Sequence, residues 1–520
     1  MNNDLAVLLK DITKTFGKKV VANKDVTLGI KKGEILSLLG ENGSGKTTLM
    51  NMLAGIYYPD SGHIFVDVND SGLNEVSISS PKDAYALGIG MIHQHFKLVD
   101  VFTAVENVAL GLDKNIAFNK KQIAQDIKAI CDKYGFKVDP NKKVYNMSVS
   151  EKQTLEIVKA LYRGANILIL DEPTAVLTPQ ETDMLFAVMR NMKEDGKSII
   201  IITHKLNEVL EISDRVSILR KGEYVGTVDT KEASVEILTE MMVGQKVTLE
   251  IDRKEPQNTK PRLIVSNLTC VNKYGVKALD DVSFIANSGE ILGIAGISGS
   301  GQKELLEAIA GLQETASGSS IKYVTPENET DIVQLIGKNA LQIKNLGVAL
   351  SFVPEDRLGM GLVGSMGMSD NMMLRSYRKG FVFTERKGPK NLANKVKDEL
   401  EVVTPSITTP VRKLSGGNVQ KVLVGREIAA APTVLMTAYA VRGLDVNTSY
   451  TIYNLLNEQK EKGVAVIYVG EDLDVLLALA DRILVLCDGK LNGIVDARTT
   501  TKEEIGLLMT HLREEEKIDG

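Results

Sequence analysis

The 520-residue chain has no tryptophan, three cysteines, five histidines and thirteen prolines. Cys131, Cys270 and Cys487 stand far apart and in no metal-ligand spacing. Neither a disulfide framework nor a zinc cluster is expected, and the three read as ordinary reduced thiols. Apolar runs such as residues 199–202 and 464–469 fall far short of the ~20 residues that a membrane-spanning helix needs. Residues 1–10 show no basic region followed by a long apolar run and a cleavage site, so no secretory signal is expected and a cytoplasmic protein is. Basic residues are not in excess: 62 against 67 acidic ones, a formal net charge of -5. That balance argues against a nucleic-acid partner.

What the chain does have is glycine in two similar clusters. Gly40-Glu41-Asn42-Gly43-Ser44-Gly45-Lys46-Thr47 is a complete phosphate-binding loop, G-x-x-x-x-G-K-[ST], followed by Thr48. Its glycines let backbone N–H groups close around phosphate oxygens, Lys46 brings a positive charge to the β- and γ-phosphates, and Thr47 can place a hydroxyl on Mg²⁺. Gly296-Ile297-Ser298-Gly299-Ser300-Gly301-Gln302-Lys303 repeats the glycines but has Gln302 for the lysine and Lys303 for the hydroxyl. The chain reads as a duplicated nucleotide-binding protein with one intact and one altered half.

The duplication extends well beyond the loops. Residues 22–28 lie over 278–284, 33–36 over 289–292, and 214–216 over 481–483. A repeat of that span predicts two similar domains, 1–245 and 263–520. The seam between them, 246–262, is polar, contains two prolines and has no apolar period, so it reads as a linker. Each half begins with β-type stretches and a strand entering the glycine loop and a helix. It then turns mostly helical, over 96–164 and about 355–431, before strands return at 167–170 and 198–203. The expected class is α/β, with a helical subdomain inserted in each half. The charged tail at 513–517 reads as a solvated helix end.

Ile167-Leu168-Ile169-Leu170-Asp171-Glu172 is an apolar strand ending in two carboxylates. A buried strand can hold Asp171 beside the phosphate loop, where it orients Mg²⁺, and leave Glu172 to polarise the attacking water. Gln94 follows a short apolar strand and can reach the metal or that water. His204 ends the strand at 198–203, within reach of a γ-phosphate. Phe16 is placed to stack on an adenine, and no N-K-x-D guanine-reading motif accompanies it. His93 and His95 have H-x-H spacing but no further ligand nearby.

In this order, these motifs resemble the ATP-binding-cassette (ABC) ATPases over the whole chain. The resemblance supplies aromatic loop (Phe16), Walker A (40–47), Q-loop (Gln94), signature, Walker B (167–172), D-loop (175–178) and switch histidine (His204). Thr178 stands where that D-loop usually has Asp. The tandem form, with Val353-Pro354-Glu355-Asp356-Arg357, looks like the fused ATPase of sugar and nucleoside importers. The resemblance implies two tandem P-loop ABC ATPase domains that bind ATP and Mg²⁺, with Thr47, Gln94 and Asp171 around the metal. It implies ATP sandwiched head-to-tail between one half's Walker A and the other's signature. It also implies two integral membrane permease subunits, an extracellular solute-binding protein acting indirectly, and a peripheral place on the cytoplasmic face of the membrane.

The second half carries Leu414-Ser415-Gly416-Gly417-Asn418, close to the family's LSGGQ, whose glycines permit close backbone approach to phosphate. The first half has Met147-Ser148-Val149-Ser150-Glu151 instead. Paired in trans, the intact Walker A meets the intact signature and the altered meets the altered. The second half also has Ala438 over Asp171, Tyr439 over Glu172, Glu471 over His204 and Glu355 over Gln94. Losses thus fall on one composite site. The strings at 93–100, 160–165 and 170–181 are similar to the nucleoside, basic-membrane-lipoprotein-linked branch, so nucleosides are the expected solute. A ribose- or galactose-type sugar importer is the alternative. A soluble ABC protein acting on ribosomes or DNA is the rival class, and the missing membrane spans exclude a fused exporter.

Overall fold

The computed structural model describes residues 4–17, 20–68, 72–94, 96–111, 119–175, 177–245, 251–272, 275–297, 299–328, 330–346, 348–375, 377 and 385–511. His95, Val176, Ser298, the start of the seam at 246–250 and the charged tail at 513–517 lie outside them. The chain divides into two compact units, Met1–Thr248 and Leu249–Gly520.

In the first unit a six-stranded sheet runs in the order Glu223–Asp229, Arg215–Arg220, Ile35–Leu39, Ser198–Thr203, Ile167–Asp171, Ile89–Ile92. Its strands pair in parallel, except for the antiparallel edge strand Glu223–Asp229. The central strands are apolar along both faces because both faces are covered. Alternate residues divide between two cores: Leu36, Leu38, Ile167, Ile169, Ile200 and Ile202 pack on one side. Ile35, Leu168, Leu170, Ile199 and Ile201 pack on the other with the helical region. That region contains the helices Ala104–Ala109, Lys120–Tyr134 and Val149–Tyr162. A separate four-stranded antiparallel sheet is led by Val20–Lys31 and Leu5–Phe16.

The second unit repeats this plan. Its six-stranded sheet runs Leu350–Val353, Val434–Ala438, Ala465–Val469, Ile291–Gly296, Arg482–Cys487, Lys490–Asp496, and its helical region holds Met368–Met373, Lys387–Glu399 and Gly416–Ile428. The polar seam is not loose where it is described. The Arg253 Nη1 donates to Leu477 O at 2.9 Å, and Lys460 Nζ donates to Lys254 O at 2.6 Å, so residues 253–254 are fastened to the second unit. Cys131, Cys270 and Cys487 are free and buried.

The parallel arrangement has a direct consequence for the site. All four strands Ile35–Leu39, Ser198–Thr203, Ile167–Asp171 and Ile89–Ile92 point the same way, so their carboxyl ends share one edge of the sheet. Lys46, His204, Glu172 and Gln94 all follow those ends, which is where open parallel sheets place their ligands.

Candidate active site

Glycine geometry shapes the loop. Gly45 caps the helix Lys46–Leu53 in the left-handed region (φ 97), with no side chain capping the helix N-terminus. A Cβ at Gly45 would lie 2.3 Å from Ala22 O and 2.6 Å from Asn23 Nδ2, and one at Gly40 would lie 2.2 Å from Leu219 O. Ser44 Oγ is buried and has no hydrogen-bond partner. An uncapped helix start, a cradle that excludes side chains and an orphaned hydroxyl fit a phosphate chain. Gly45→Ala is expected to lower the melting temperature and abolish nucleotide binding, because the clash adds to a left-handed penalty of about 1–2 kcal/mol. Gly43→Ala pays that penalty alone, since nothing lies within 4 Å of its Cβ. Equal melting temperatures for the two variants would refute the cradle.

Lys46 is buried, and its Nζ donates to Gly40 O at 2.6 Å and Glu41 O at 2.9 Å. Burial pulls its pKa down to about 8, against the opposing pull of Glu172, Asp171 and Glu41. Thr47 Oγ1 donates to Asp171 Oδ1 at 3.4 Å, which joins two of the expected Mg²⁺ ligands. Burial, and then Glu172, raise the Asp171 carboxyl to about 6, against Thr47 and Lys46. Asp171 and Thr47 offer the oxygen donors that a hard divalent cation takes. The donor set fits Mg²⁺.

Glu172 sits just past its strand in the left-handed region (φ 49), and its N–H donates to Ile202 O at 2.8 Å. Both carboxylate oxygens are held: Gln94 Nε2 donates to Oε2 at 2.8 Å, and His204 Nδ1 lies 3.1 Å from Oε1. The His204 bond is the main reason the Glu172 pKa is lowered, with burial opposing it. Gln94 and His204, expected near metal, water or γ-phosphate, thus converge on the carboxylate itself. Phe16 is exposed, edge-on to Tyr57 with ring centroids 5.2 Å apart. His93 is only partly buried. Burial, and then Lys97, hold its pKa low. Thr178 is the N-cap of the helix Pro179–Glu194, in a capping box with Glu181. Asp445 caps the helix Val446–Glu461 in the second unit, so Thr and Asp serve one local purpose at these matched positions.

At the second unit's loop, Gln302 is buried and its Nε2 donates to Ile297 O at 3.0 Å, a neutral copy of the Lys46 contact. Lys303 does not replace the lost charge. Its side chain is 57% exposed and pairs with Glu307 at 3.8 Å. Tyr439 shares the left-handed backbone of Glu172 (φ 49), with its hydroxyl pushed up to about 12 by burial and then by Glu471 and Glu355. Arg442, which the sequence reading missed, bridges those two carboxylates, at 2.5 Å from Glu355 and 3.4 Å from Glu471. The charge pattern is rewritten there, with no carboxylate at 438 or 439.

The two signature helices also start differently. In the first unit Ser148 caps Val149–Tyr162 in a capping box: Glu151 N donates to Ser148 Oγ at 3.2 Å and Ser148 N to Glu151 Oε2 at 2.8 Å. A carboxylate therefore occupies that helix N-terminus. The S-x-x-E spacing in Ser148-Val149-Ser150-Glu151 was the available signal. In the second unit Ser415 caps Gly416–Ile428 by accepting from Asn418 N at 3.4 Å. Asn418 Nδ2 also donates to Ser415 Oγ at 2.8 Å, and its Oδ1 accepts from Val403 N. The cap of that helix is made by neutral groups, with the Arg357 guanidinium 3.3 Å from a Cβ built at Gly416 and Asp445 Oδ2 3.3 Å from one built at Gly417.

Residues 23–175 and 279–437 each match the ABC transporter family. The chain is 40% identical to the nucleoside import ATP-binding protein NupA of Lactococcus lactis subsp. cremoris, over 98% of this chain and 99% of that one. It is 40% identical to the guanosine import ATP-binding protein NupO of Bacillus subtilis, over 94% of each. It is 37% identical to a glucose import ATP-binding protein of Haloferax volcanii, over 98% of this chain and 96% of that one. With two family matches and whole-length relatives, this chain belongs to the ABC transporter family, as an ATPase whose nucleotide-binding domain is present twice.

Proposed function

We propose that this chain is the ATP-hydrolysing subunit of an importer that carries nucleosides. The observation that carries the solute is the whole-length 40% identity to proteins named for nucleoside and guanosine import. Two integral membrane permease subunits supply the solute path, since no helix among the described residues is long and apolar enough to cross a membrane. The chain works at the cytoplasmic face, and an extracellular binding protein delivers solute to the permease.

In the competent unit, the 40–45 loop and the N–H groups at the start of Lys46–Leu53 hold the phosphate chain, with Lys46 against its outer oxygens. Phe16 receives the base. Thr47, Asp171 and Gln94 would hold Mg²⁺, which would supply positive charge to offset that of the phosphates. Glu172 takes a proton from the attacking water as the γ-phosphoryl leaves ADP, while His204 and Gln94 orient its two oxygens. The second unit contributes the signature Ser415, Gly416, Gly417 and Asn418 to that nucleotide, in the head-to-tail pairing typical of the resemblance. What supports this pairing is the distribution of losses: every altered catalytic position belongs with the altered signature.

Cells lacking the chain are expected to lose energised uptake of radiolabelled nucleosides and to resist toxic nucleoside analogues. Glu172→Gln should reproduce both defects, with ribose, galactose and glucose uptake spared. Loss of monosaccharide uptake with nucleoside uptake intact would assign the sugar branch, for which the glucose-import relative speaks.

A further inference from the structure

The first unit contains a side-chain clamp that the motifs do not name. Glu156 and Lys159 lie one turn apart on the signature helix Val149–Tyr162, 3.8 Å from each other. Glu156 is 5% exposed and accepts from Lys97 N at 3.0 Å. Lys159 Nζ donates to Lys97 O at 3.0 Å. One helix therefore grips both main-chain polar groups of a single residue, only three residues beyond Gln94.

The duplicated unit separates scaffold from specialisation. Buried Asn107 holds Val99 by both N (2.8 Å) and O (3.1 Å), and buried Asn371 holds Val363 in the same way (2.8 and 3.2 Å). Those contacts are common to both units. Two residues before each valine stand Lys97 and Gly361, and Arg426, matched to Lys159, donates to Gly361 O at 2.7 Å. The carboxylate is not repeated: Leu423 is matched to Glu156, and Gly361 N turns instead to Asp356 O at 3.2 Å. The complete clamp belongs to the unit that has Glu172.

We infer that Glu156, with Lys159, is a positioning residue: by fixing Lys97 it sets the reach of Gln94 to Glu172 Oε2, so that movement of the signature helix is passed to the catalytic carboxylate. Three residues of chain span at most about 10 Å, so an anchor at Lys97 limits how far Gln94 can move from the signature helix. The backbone path is short, and Gln94 Nε2 already lies 2.8 Å from that oxygen. This inference rests on the proposed role of Gln94 and adds the element that controls it.

The test is steady-state ATP hydrolysis by the full-length chain. Glu156→Leu, the residue of the other unit, is expected to lower kcat about tenfold with the KM for ATP within about twofold, as for loss of one preorganised contact acting at the chemical step. Glu156→Gln keeps an acceptor oxygen and should restore most of kcat. Glu156→Leu combined with Gln94→Ala should be no slower than Gln94→Ala alone, because residues acting through one group are not additive. Lys159→Met should give the same non-additive pattern, which keeps the test decisive where Glu156→Leu folds poorly. Multiplicative losses in the double variants, a raised KM, or full activity of Glu156→Leu would overturn the clamp while leaving the site intact. Full activity of Gln94→Ala alone would overturn both the clamp and the role of Gln94.

Discussion

Lys46→Ala and Glu172→Gln should each lower ATP turnover on the order of 100-fold or more, the scale of losing one preorganised electrostatic or proton-accepting group. Lys303→Ala should leave turnover within about a few-fold on the same reasoning. The contrast follows from where the charges sit. Lys46 is buried in its loop, held by Gly40 O and Glu41 O, and charged among carboxylates. Lys303 points outward to Glu307. Glu172→Gln removes the proposed acceptor of the water's proton but keeps the shape, so it should arrest the nucleotide-bound state. Steady-state hydrolysis and single-turnover binding on the full-length chain separate the two effects. Loss of turnover in Lys303→Ala with retention in Lys46→Ala would invert the assignment of the competent unit.

Much of the fold was legible because its signals are local. Apolar runs such as 167–170 mark strands buried on both faces, glycines mark the loops, and the repeat made the second unit readable from the first. The convergence of the candidate site residues was legible too: Lys46, Thr47, Asp171 and Glu172 follow strands whose parallel pairing gathers their ends. The remainder depends on side chains that meet across long sequence distances. Nothing near Arg442 announces that it joins Glu355 to Glu471, 87 and 29 residues away. The grip of Glu156 on Lys97 is invisible in a helical pattern for the same reason. Gln302 could be read as a lost charge, but not as a side chain folded onto Ile297 O. Two further signals are local: Ser148 and Glu151 have capping-box spacing, and Thr178 followed by Pro179 and Glu181 spells a helix start, a capping role that Thr fills as Asp does.

Gly417→Asp is expected to collapse hydrolysis by about 100-fold although the substitution lies outside the unit that carries Lys46 and Glu172, because the proposed pairing sets a new carboxylate against phosphate oxygens. Ser150→Asp, at the matched position of the other signature, should cost no more than about a few-fold. The local structures support the difference. The helix Val149–Tyr162 already has Glu151, paired with Lys142, folded over its start, whereas the cap of Gly416–Ile428 is made by neutral Ser415 and Asn418. The substitution also has a consequence within its own unit: a Cβ at Gly417 lies 3.3 Å from Asp445 Oδ2 and 3.3 Å from Thr448 Oγ1. Repulsion from Asp445 would loosen the cap of Val446–Glu461. Melting temperatures must therefore accompany the rates, and Gly417→Ala isolates the steric part. A folded Gly417→Asp protein that binds ATP but does not hydrolyse it, beside an active Ser150→Asp, is the expected pair of results. Equal losses from the two aspartates would count against a division into one competent and one altered composite site.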